Sequence, residues 1–180
     1  MPPQVEWPQR GLHVIAKPAG PKCNLRCEYC FYLKKEELYP GETNWKMSDE
    51  TLEAYVRQYF AAQSPLVEEI DFAFQGGEPT LMGIEFYERL LTFQQKHLPD
   101  GKRVHNSLQT NGILLDDRWC EFLKKNDFLV GLSIDGPRDL HDKYRLDHAG
   151  AGTFDSVSAA LNLLQKHEVE FNALICVNRH

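Results

Sequence analysis

Residues 68–110, EEIDFAFQGGEPTLMGIEFYERLLTFQQKHLPDGKRVHNSLQT, contain a strand, a helix and a second strand in that order. The first run, 68–75, has the pattern of a strand and ends at two glycines. Residues 84–98 carry apolar side chains at helical spacing, and the Pro-Asp-Gly sequence that follows ends the helix. Residues 103–110 return to a strand pattern. A crossover of this length requires the two strands to pair in parallel.

Strands and helices alternate along the rest of the chain as well. We predict further strands at 12–18, 128–134 and 169–177, and further helices at 48–63, 116–126 and 153–167, with a polar loop before the last helix. Five strands with four crossovers predict an α/β fold. A closed eight-unit barrel takes ~250 residues, so the sequence predicts a partial parallel (β/α) barrel, truncated after the fifth strand. We expect one domain over 1–180, in which residues 1–11 form a loosely ordered extension.

Charge and composition argue against several classes of protein. The net charge of −6 disfavours broad capture of nucleic acid or anionic lipid. No apolar run reaches the ~20 residues of a membrane span, and MPPQVEWPQR at the start lacks a signal-like apolar core. We therefore expect a cytoplasmic protein with no nucleic acid and no membrane partner. Five cysteines, three of them clustered, favour a metal site over disulfides in a reducing compartment.

The clustered cysteines, Cys23, Cys27 and Cys30, lie in a loop directly after the first predicted strand. Three interpretations are open. A structural zinc site needs a fourth donor, for which the candidates are His13, His141 and Cys120. A redox pair uses only two thiols and leaves the third unexplained. An iron–sulfur cluster normally has four thiolates, so three leave one iron open to the amino and carboxylate groups of a small molecule.

Aromatic residues interleave with these cysteines and favour the cluster. Tyr29, Phe31 and Tyr32 are placed to shield it from water and to offer a flat surface to a nucleobase. The remaining cysteines, Cys120 and Cys176, lie in an amphipathic helix and in an apolar strand. There we expect both to be buried small side chains.

Glycine-rich or polar segments follow the later strands, at the edge where parallel sheets build their sites. Gln75, Gly76, Gly77 and Glu78 form either a simple turn or a place where the backbone approaches a ligand closely. In the second interpretation the Glu78 carboxylate meets an ammonium group.

Two further strand ends carry candidate residues. Gln109 ends the third strand and is a candidate lining residue of the cavity, whereas Asn111 with the glycine after it predicts a turn. Ser133, Asp135 and Arg145 follow the fourth strand. The arginine is either a solvated charge or the bidentate partner of a carboxylate.

Together these motifs resemble those of a known family. CNLRCEYCFY is similar to the CxxxCxφC signature of the radical S-adenosylmethionine (SAM) enzymes, in which φ is aromatic. With FAFQGGEPTLMG, NSLQTNGILL and VGLSIDGPRDLHDKYR, it closely resembles the N-terminal part of the anaerobic sulfatase-maturating enzymes. The resemblance runs from about Leu12 to the end of the chain.

The resemblance implies two cofactors and a reaction. It implies a [4Fe-4S] cluster on the three clustered cysteines and S-adenosyl-L-methionine at the open iron. Residues 75–78 would then bind the methionine amino group, and Ser133 and Arg145 the ribose or carboxylate of the cofactor. A reduced electron donor would drive cleavage of the cofactor to a 5′-deoxyadenosyl radical. That radical would start the oxidation of a Cys or Ser in a sulfatase peptide to Cα-formylglycine.

The sequence departs from that family in the second half of the reaction. It lacks the further cysteine-rich sequence that binds two auxiliary clusters and the acidic base beyond the middle of the barrel. Tyr32 is the candidate proton acceptor that remains, although a free tyrosine has a pKa of ~10. Two other functions stay open, namely another radical SAM peptide-modifying maturase and a non-catalytic metal-binding fragment.

Overall fold

One parallel sheet organises the computed structural model, which describes residues 11–42 and 44–177. Its strands lie in chain order: β1 (Val14–Ala16), β2 (Glu69–Phe74), β3 (Arg103–Thr110), β4 (Phe128–Ser133) and β5 (Phe171–Leu174). All four neighbouring pairs are parallel. The predicted α/β fold with a partial parallel sheet is thereby confirmed. The expected extension over 1–11 lies, apart from its last residue, outside the described residues.

Helices connect these strands. They are α1 (Asp49–Ala61), α2 (Ile84–His97), α3 (Asp117–Lys125), α4 (Arg138–Tyr144) and α5 (Phe154–Lys166), with short 3₁₀ turns at Lys35–Leu38 and Pro79–Met82. Ser48 caps α1 as predicted, since its hydroxyl accepts a hydrogen bond from the Thr51 N–H at 3.2 Å. Within the described ranges, no helix is both long and apolar enough to cross a bilayer.

The core forms where alternate residues of β2 meet the helices. Ile70, Phe72 and Phe74 are at most 2% exposed, whereas Glu69 and Asp71, which alternate with them, are exposed. The Phe72 ring packs edge-on against two rings of α1, from Tyr59 at 4.9 Å and Phe60 at 5.3 Å between centroids. Full burial of such a side chain contributes ~1.5–3 kcal/mol. The core thus lies on one face of the sheet and leaves the strand ends to the loops.

Three boundaries differ from the sequence-based expectation. The first and last strands are shorter than predicted, and α4 occupies part of the predicted polar loop. Seven mostly polar residues give α4 no long apolar stripe, so its sequence pattern is that of a loop. The expectation for Cys176 was wrong: the strand ends at Leu174, and Cys176 beyond it is exposed. Cys120 is fully buried, as predicted.

Candidate cofactor site

A cavity of about 340 Å³ lies at the carboxyl ends of the strands. Its volume is in the range of ordinary small-molecule sites. All twelve site residues predicted from the sequence line this cavity: Cys23, Cys27, Tyr29, Cys30, Tyr32, Gln75, Gly76, Gly77, Glu78, Gln109, Ser133 and Arg145. The structure therefore brings together residues that are up to 122 positions apart in the chain, Cys23 and Arg145.

The cysteine loop is held from both sides by backbone hydrogen bonds. On one side, the N–H groups of Arg26 and Glu28 donate to the carbonyls of Leu146 and Tyr144, at 2.8 and 2.9 Å. Within the loop, the Cys30 N–H donates to the Cys27 carbonyl at 3.0 Å, which closes a tight turn. Both cysteines of this turn, Cys27 and Cys30, line the cavity.

On its other side the loop rests against the Gly-Gly-Glu turn. The N–H groups of Gly77 and Glu78 donate to the carbonyls of Gly20 and Lys22, at 2.9 and 2.7 Å. A Cβ atom at position 77 would lie 1.9 Å from the Lys22 carbonyl oxygen, so only glycine fits. The close backbone approach predicted for this turn is thus to the cysteine loop. Its predicted contact with a ligand stays a prediction.

The Glu78 carboxylate is buried and already satisfied by the protein. Its Oε1 accepts hydrogen bonds from the N–H and the hydroxyl of Thr80 and from the Thr110 hydroxyl, at 3.0, 2.7 and 2.8 Å. Its Oε2 accepts from the Asn111 N–H at 2.8 Å. Burial raises the pKa of Glu78, and these donors counteract the rise only in part. Glu78 therefore ties the turn to the end of β3, and its predicted pairing with an ammonium group is untested.

Arg145 is neither solvated nor free, because it forms a buried ion pair with Asp135. Its Nε and Nη2 reach the two carboxylate oxygens at 2.8 and 3.2 Å. The Tyr29 hydroxyl donates to the same carboxylate, and the Cys176 N–H donates to it at 2.9 Å. Burial pushes the pKa of Asp135 up, but Arg145 and the two other donors more than offset it and leave that pKa lowered.

His141 in α4 is linked by hydrogen bonds to the backbone of both residues of this ion pair, directly to Asp135 and through Thr153 to Arg145. Its Nδ1 accepts a hydrogen bond from the Asp135 N–H at 3.2 Å, and its Nε2 lies 3.1 Å from the Thr153 hydroxyl oxygen. That hydroxyl donates to the Arg145 carbonyl, so Nε2 carries the hydrogen and the ring is neutral. Burial is the main cause that lowers the pKa of His141, and the Arg145 charge adds to it.

The thiols have the donor set of an iron–sulfur site. Burial raises the pKa of Cys23 to about 11, although the hydrogen bond from the Leu25 N–H opposes that rise. Burial also raises the pKa of Cys27, and the Arg145 charge opposes that rise. Buried thiols of this kind need a metal to become thiolates. Three buried polar atoms of the described region have no protein partner, Asn24 Nδ2 and the hydroxyls of Tyr32 and Tyr55. The first two belong to the cysteine stretch CNLRCEYCFY, which suits a site that a cofactor completes.

The zinc alternative finds no support in the geometry. The three candidate fourth donors, His13, His141 and Cys120, do not line the cavity. In the part of the chain that the structure describes, no three His, Cys, Asp or Glu side chains converge as on a single metal ion. Ligands of a four-iron cluster each bind a different iron, so they need not converge on one point.

Other predicted residues hold one another in the cavity wall. The Gln75 Nε2 donates to the Gln109 Oε1 at 2.6 Å, which joins the ends of β2 and β3. Ser133 is 7% exposed at the end of β4. Sequence reasoning missed the contacts that Asn111 and Asp135 make with other loops. The Asn-Gly and Asp-Gly pairs that contain them are ordinary turn signals, and these hid their side-chain contacts.

Comparisons with known proteins agree with this geometry. The profile of the Radical SAM superfamily matches residues 18–179. A serine-type anaerobic sulfatase-maturating enzyme of Bacteroides thetaiotaomicron is 44% identical over 167 residues, which are 93% of this chain and 40% of that protein. A cysteine-type enzyme of the same name from Clostridium perfringens is 45% identical over 166 residues, with 92% and 44% covered.

A solved structure gives the same result in three dimensions. Native anSMEcpe with bound AdoMet and Cp18Cys peptide has a TM-score of 0.79 and 44% identity, over 90% of this chain and 42% of that one. The chain spans about two fifths of the length of the curated relatives it matches. The superfamily match includes every predicted site residue, and this confirms the resemblance drawn from the motifs. This chain belongs to the radical SAM superfamily.

Proposed function

We propose that this chain is the cofactor-binding core of a radical SAM enzyme of the sulfatase-maturating kind. The observation that carries the proposal is the convergence of three thiols, the Gly-Gly-Glu turn and Arg145 on one cavity. In it, Cys23, Cys27 and Cys30 hold a [4Fe-4S] cluster and leave one iron for S-adenosyl-L-methionine. When bound, the reduced cluster supplies one electron that cleaves the cofactor to methionine and a 5′-deoxyadenosyl radical.

The residues around the cluster orient the cofactor. Residues 75–78 bind its amino group, with Gln109 beside them, and Ser133 contacts the ribose or carboxylate. The Nε and Nη2 atoms of Arg145 donate hydrogen bonds to Asp135. Its Nη1 is therefore the atom that approaches the ribose or carboxylate of the cofactor. The Tyr29 ring, whose centroid lies 5.5 Å from the Arg145 guanidinium, offers its face to the nucleobase.

Tyr32 is the proton acceptor that we propose for the substrate step. Its hydroxyl is buried, and no group in the described part of the chain hydrogen-bonds to it. Tyr32 also lines the cavity that we propose as the cofactor site. A substrate proton that reaches the cavity would thus find an acceptor without a competing partner.

The substrate that we propose is a sulfatase peptide, in which a Cys or Ser is oxidised to Cα-formylglycine. The names of the serine-type and cysteine-type relatives support this, at nearly equal identity, and so does a related structure solved with a peptide. A reduced electron donor supplies the cluster. We place the protein in the cytoplasm, because all five cysteines are free thiols that a reducing compartment maintains.

Anaerobic reconstitution with iron and sulfide tests the proposal. We expect about four irons per chain and release of 5′-deoxyadenosine when a strong reductant and S-adenosyl-L-methionine are added. Cys27→Ser abolishes both, whereas the matched control Cys120→Ala leaves both unchanged because Cys120 lies in α3, outside the cavity. One tightly held zinc, or a loaded cluster without 5′-deoxyadenosine, would contradict the proposal and favour a metal-binding fragment.

A peptide assay separates maturation from cofactor cleavage. A short sulfatase peptide with the target Cys or Ser is incubated with the loaded chain, and the aldehyde product is followed by mass. We expect this chain to cleave the cofactor and leave the peptide unchanged, because it spans about two fifths of its relatives. Addition of a full-length relative to the same peptide gives the positive control.

A further inference from the structure

We propose that Asn111 donates a hydrogen bond to the Cys23 ligand and raises the reduction potential of the cluster. The inference rests on the proposed function, since it concerns the cluster that the three cysteines hold. It assigns to Asn111 a role beyond the turn that its sequence predicts.

The contact joins two distant parts of the chain. The Asn111 Nδ2 lies 3.6 Å from the Cys23 Sγ and 2.8 Å from the Asn24 Oδ1. A side-chain amide has two N–H bonds, so one nitrogen can donate to both acceptors. A nitrogen-to-sulfur distance of 3.6 Å suits a hydrogen bond to sulfur, which is a larger atom than oxygen.

The surroundings of Asn111 fix which end of its amide faces the sulfur. The Asn111 Oδ1 accepts a hydrogen bond from the Ile113 N–H at 3.0 Å. A flipped amide would lose this bond and would set two oxygens, its own and Asn24 Oδ1, against each other. The Asn111 N–H is held in turn by the buried Glu78 carboxylate at 2.8 Å. The donor therefore points at Cys23 in the only orientation that satisfies its neighbours.

The turn itself does not need this donor. Gly112 takes the left-handed conformation with φ +80°, and the Asn111 Oδ1 alone closes the turn onto Ile113. An aspartate or a serine at position 111 would make the same turn. The Nδ2 group is thus surplus to the local structure, and it is the part of the side chain that contacts the cysteine loop.

A donor at this place changes the cost of reduction. A cluster held by the three cysteines would gain one negative charge on reduction, and part of that charge would reach the ligand sulfurs. An N–H that points at a ligand sulfur stabilises the more negative state, and hydrogen bonds to sulfur are among the factors that set cluster potentials. Cys23 is half-buried, where such a bond is stronger than in water. The Leu25 N–H at 3.4 Å is a second donor to the same sulfur.

The test is a potentiometric titration of the whole chain. Wild type, Asn111→Ser and Asn111→Asp are loaded anaerobically with iron and sulfide, equilibrated with low-potential dyes, and followed by the EPR signal of the reduced cluster. We expect Asn111→Ser to make reduction about tenfold less favourable, which is a shift of about −59 mV for one electron. Asn111→Asp shifts the potential further, because it adds a negative charge.

A matched substitution shows that the effect is local. Asn126→Ser makes the same amide-to-hydroxyl change at the end of α3, where the side chain contacts the Phe122 carbonyl. Its midpoint potential stays at the wild-type value. Equal midpoints for wild type and Asn111→Ser, each with a full iron content, would overturn the proposal.

A measurement on the unsubstituted chain covers the case in which the variants do not load. Pulsed EPR on wild type with side-chain ¹⁵N-asparagine shows a nitrogen coupling to the reduced cluster. An absent coupling would overturn the proposal whatever the variants do. The failure of the proposed function looks different, since wild type would then hold no cluster or would release no 5′-deoxyadenosine.

Discussion

Two buried carboxylates, Glu78 and Asp135, lie at the same edge of the sheet and are stabilised by different kinds of hydrogen-bond donor. Glu78 is surrounded by neutral donors from Thr80, Thr110 and Asn111, and burial raises its pKa. Asp135 is paired with the Arg145 guanidinium, and its pKa is lowered. The two carboxyls differ in two respects that act in the same direction: Glu78 is the more deeply buried, and only Asp135 has a positively charged hydrogen-bond partner.

The two carboxylates also join different parts of the cavity wall. Glu78 ties the Gly-Gly-Glu turn to the end of β3. Asp135 ties the cysteine loop, through Tyr29, to the end of α4 and to the segment after β5. We infer that the Glu78 side is held by hydrogen bonds from neutral donors and that the Asp135 side is held by an ion pair. The following substitutions probe that contrast.

The largest expected effect comes from Asp135→Ala. Its removal leaves the Arg145 guanidinium, 9% exposed, without a counter-charge. Breaking one partner of a buried pair costs ~3–5 kcal/mol, mostly because the remaining charge stays desolvated. Chemical denaturation of the purified chain measures this loss as a lower midpoint with an unchanged slope.

A double variant shows whether the loss comes from the stranded charge. Asp135→Leu with Arg145→Met removes both charges and keeps apolar volume, so we expect it to recover most of the stability that Asp135→Ala loses. If the double variant is no more stable than Asp135→Ala, the ion pair is not what holds this side of the wall.

The second effect, of about 1–3 kcal/mol, is expected for Glu78→Gln. An amide in this place sets its NH₂ group against an N–H or hydroxyl donor, because both carboxylate oxygens accept hydrogen bonds. The size of the loss should depend on pH. The folded pKa of Glu78 is raised, so wild type loses stability as pH rises from the unfolded value of ~4.3 toward the folded one.

The penalty of Glu78→Gln therefore shrinks as pH rises through that window, since the amide does not ionise. Asp135→Asn is the contrasting case. The folded pKa of Asp135 is lowered, so wild type gains stability as pH rises toward the unfolded value of ~3.9, and the penalty of the variant grows. Denaturation midpoints from pH 3 to 7 measure both trends. Trends of the same sign would show that the two carboxylates are alike.

Much of this site could be predicted from the sequence, because the spacing of three cysteines and the position of polar residues after strands are local signals. The parallel order of the strands follows from their long crossovers, and that order brings Gln75, Gln109 and Ser133 to one edge. The partners of Glu78 and Asp135 could not be predicted. They depend on which donors from other loops contact each carboxylate, and a single sequence does not predict contacts between loops.

Two positions show how a local signal can conceal a second role. Asn111 is a turn residue by pattern, and it does form the turn. Its contact with Cys23 joins residues 88 positions apart, and local sequence patterns do not predict contacts at that separation. Cys176 was expected inside an apolar strand because VEFNALICV is apolar at its end. The pairing partner for that end is β4, and the last residue pair between them is Ser133 with Leu174.

The smallest expected effect belongs to His141, which supports the Asp135 side without carrying charge. Asp135, Asp142 and Arg145 are the charged groups that act on its ring, and burial with the Arg145 charge lowers its pKa. As the pH falls, the His141 ring therefore binds a proton in the unfolded chain near its usual pKa of ~6.5, but stays neutral in the folded chain until a lower pH. Wild type loses stability as pH falls from about 7.5 through that value, down to the folded pKa.

His141→Gln keeps a donor and an acceptor but does not titrate. At pH 8 we expect its stability to lie within ~1 kcal/mol of wild type, because the bonds to the Asp135 N–H and the Thr153 hydroxyl can persist. Below pH 6.5 the two proteins should converge, since only wild type loses this contribution. The other six histidines are the same in both proteins, so their contribution cancels in the difference. A constant difference across this range would mean that His141 is protonated alike in the folded and unfolded chains, and the neutral ring assigned from its hydrogen bonds would be wrong.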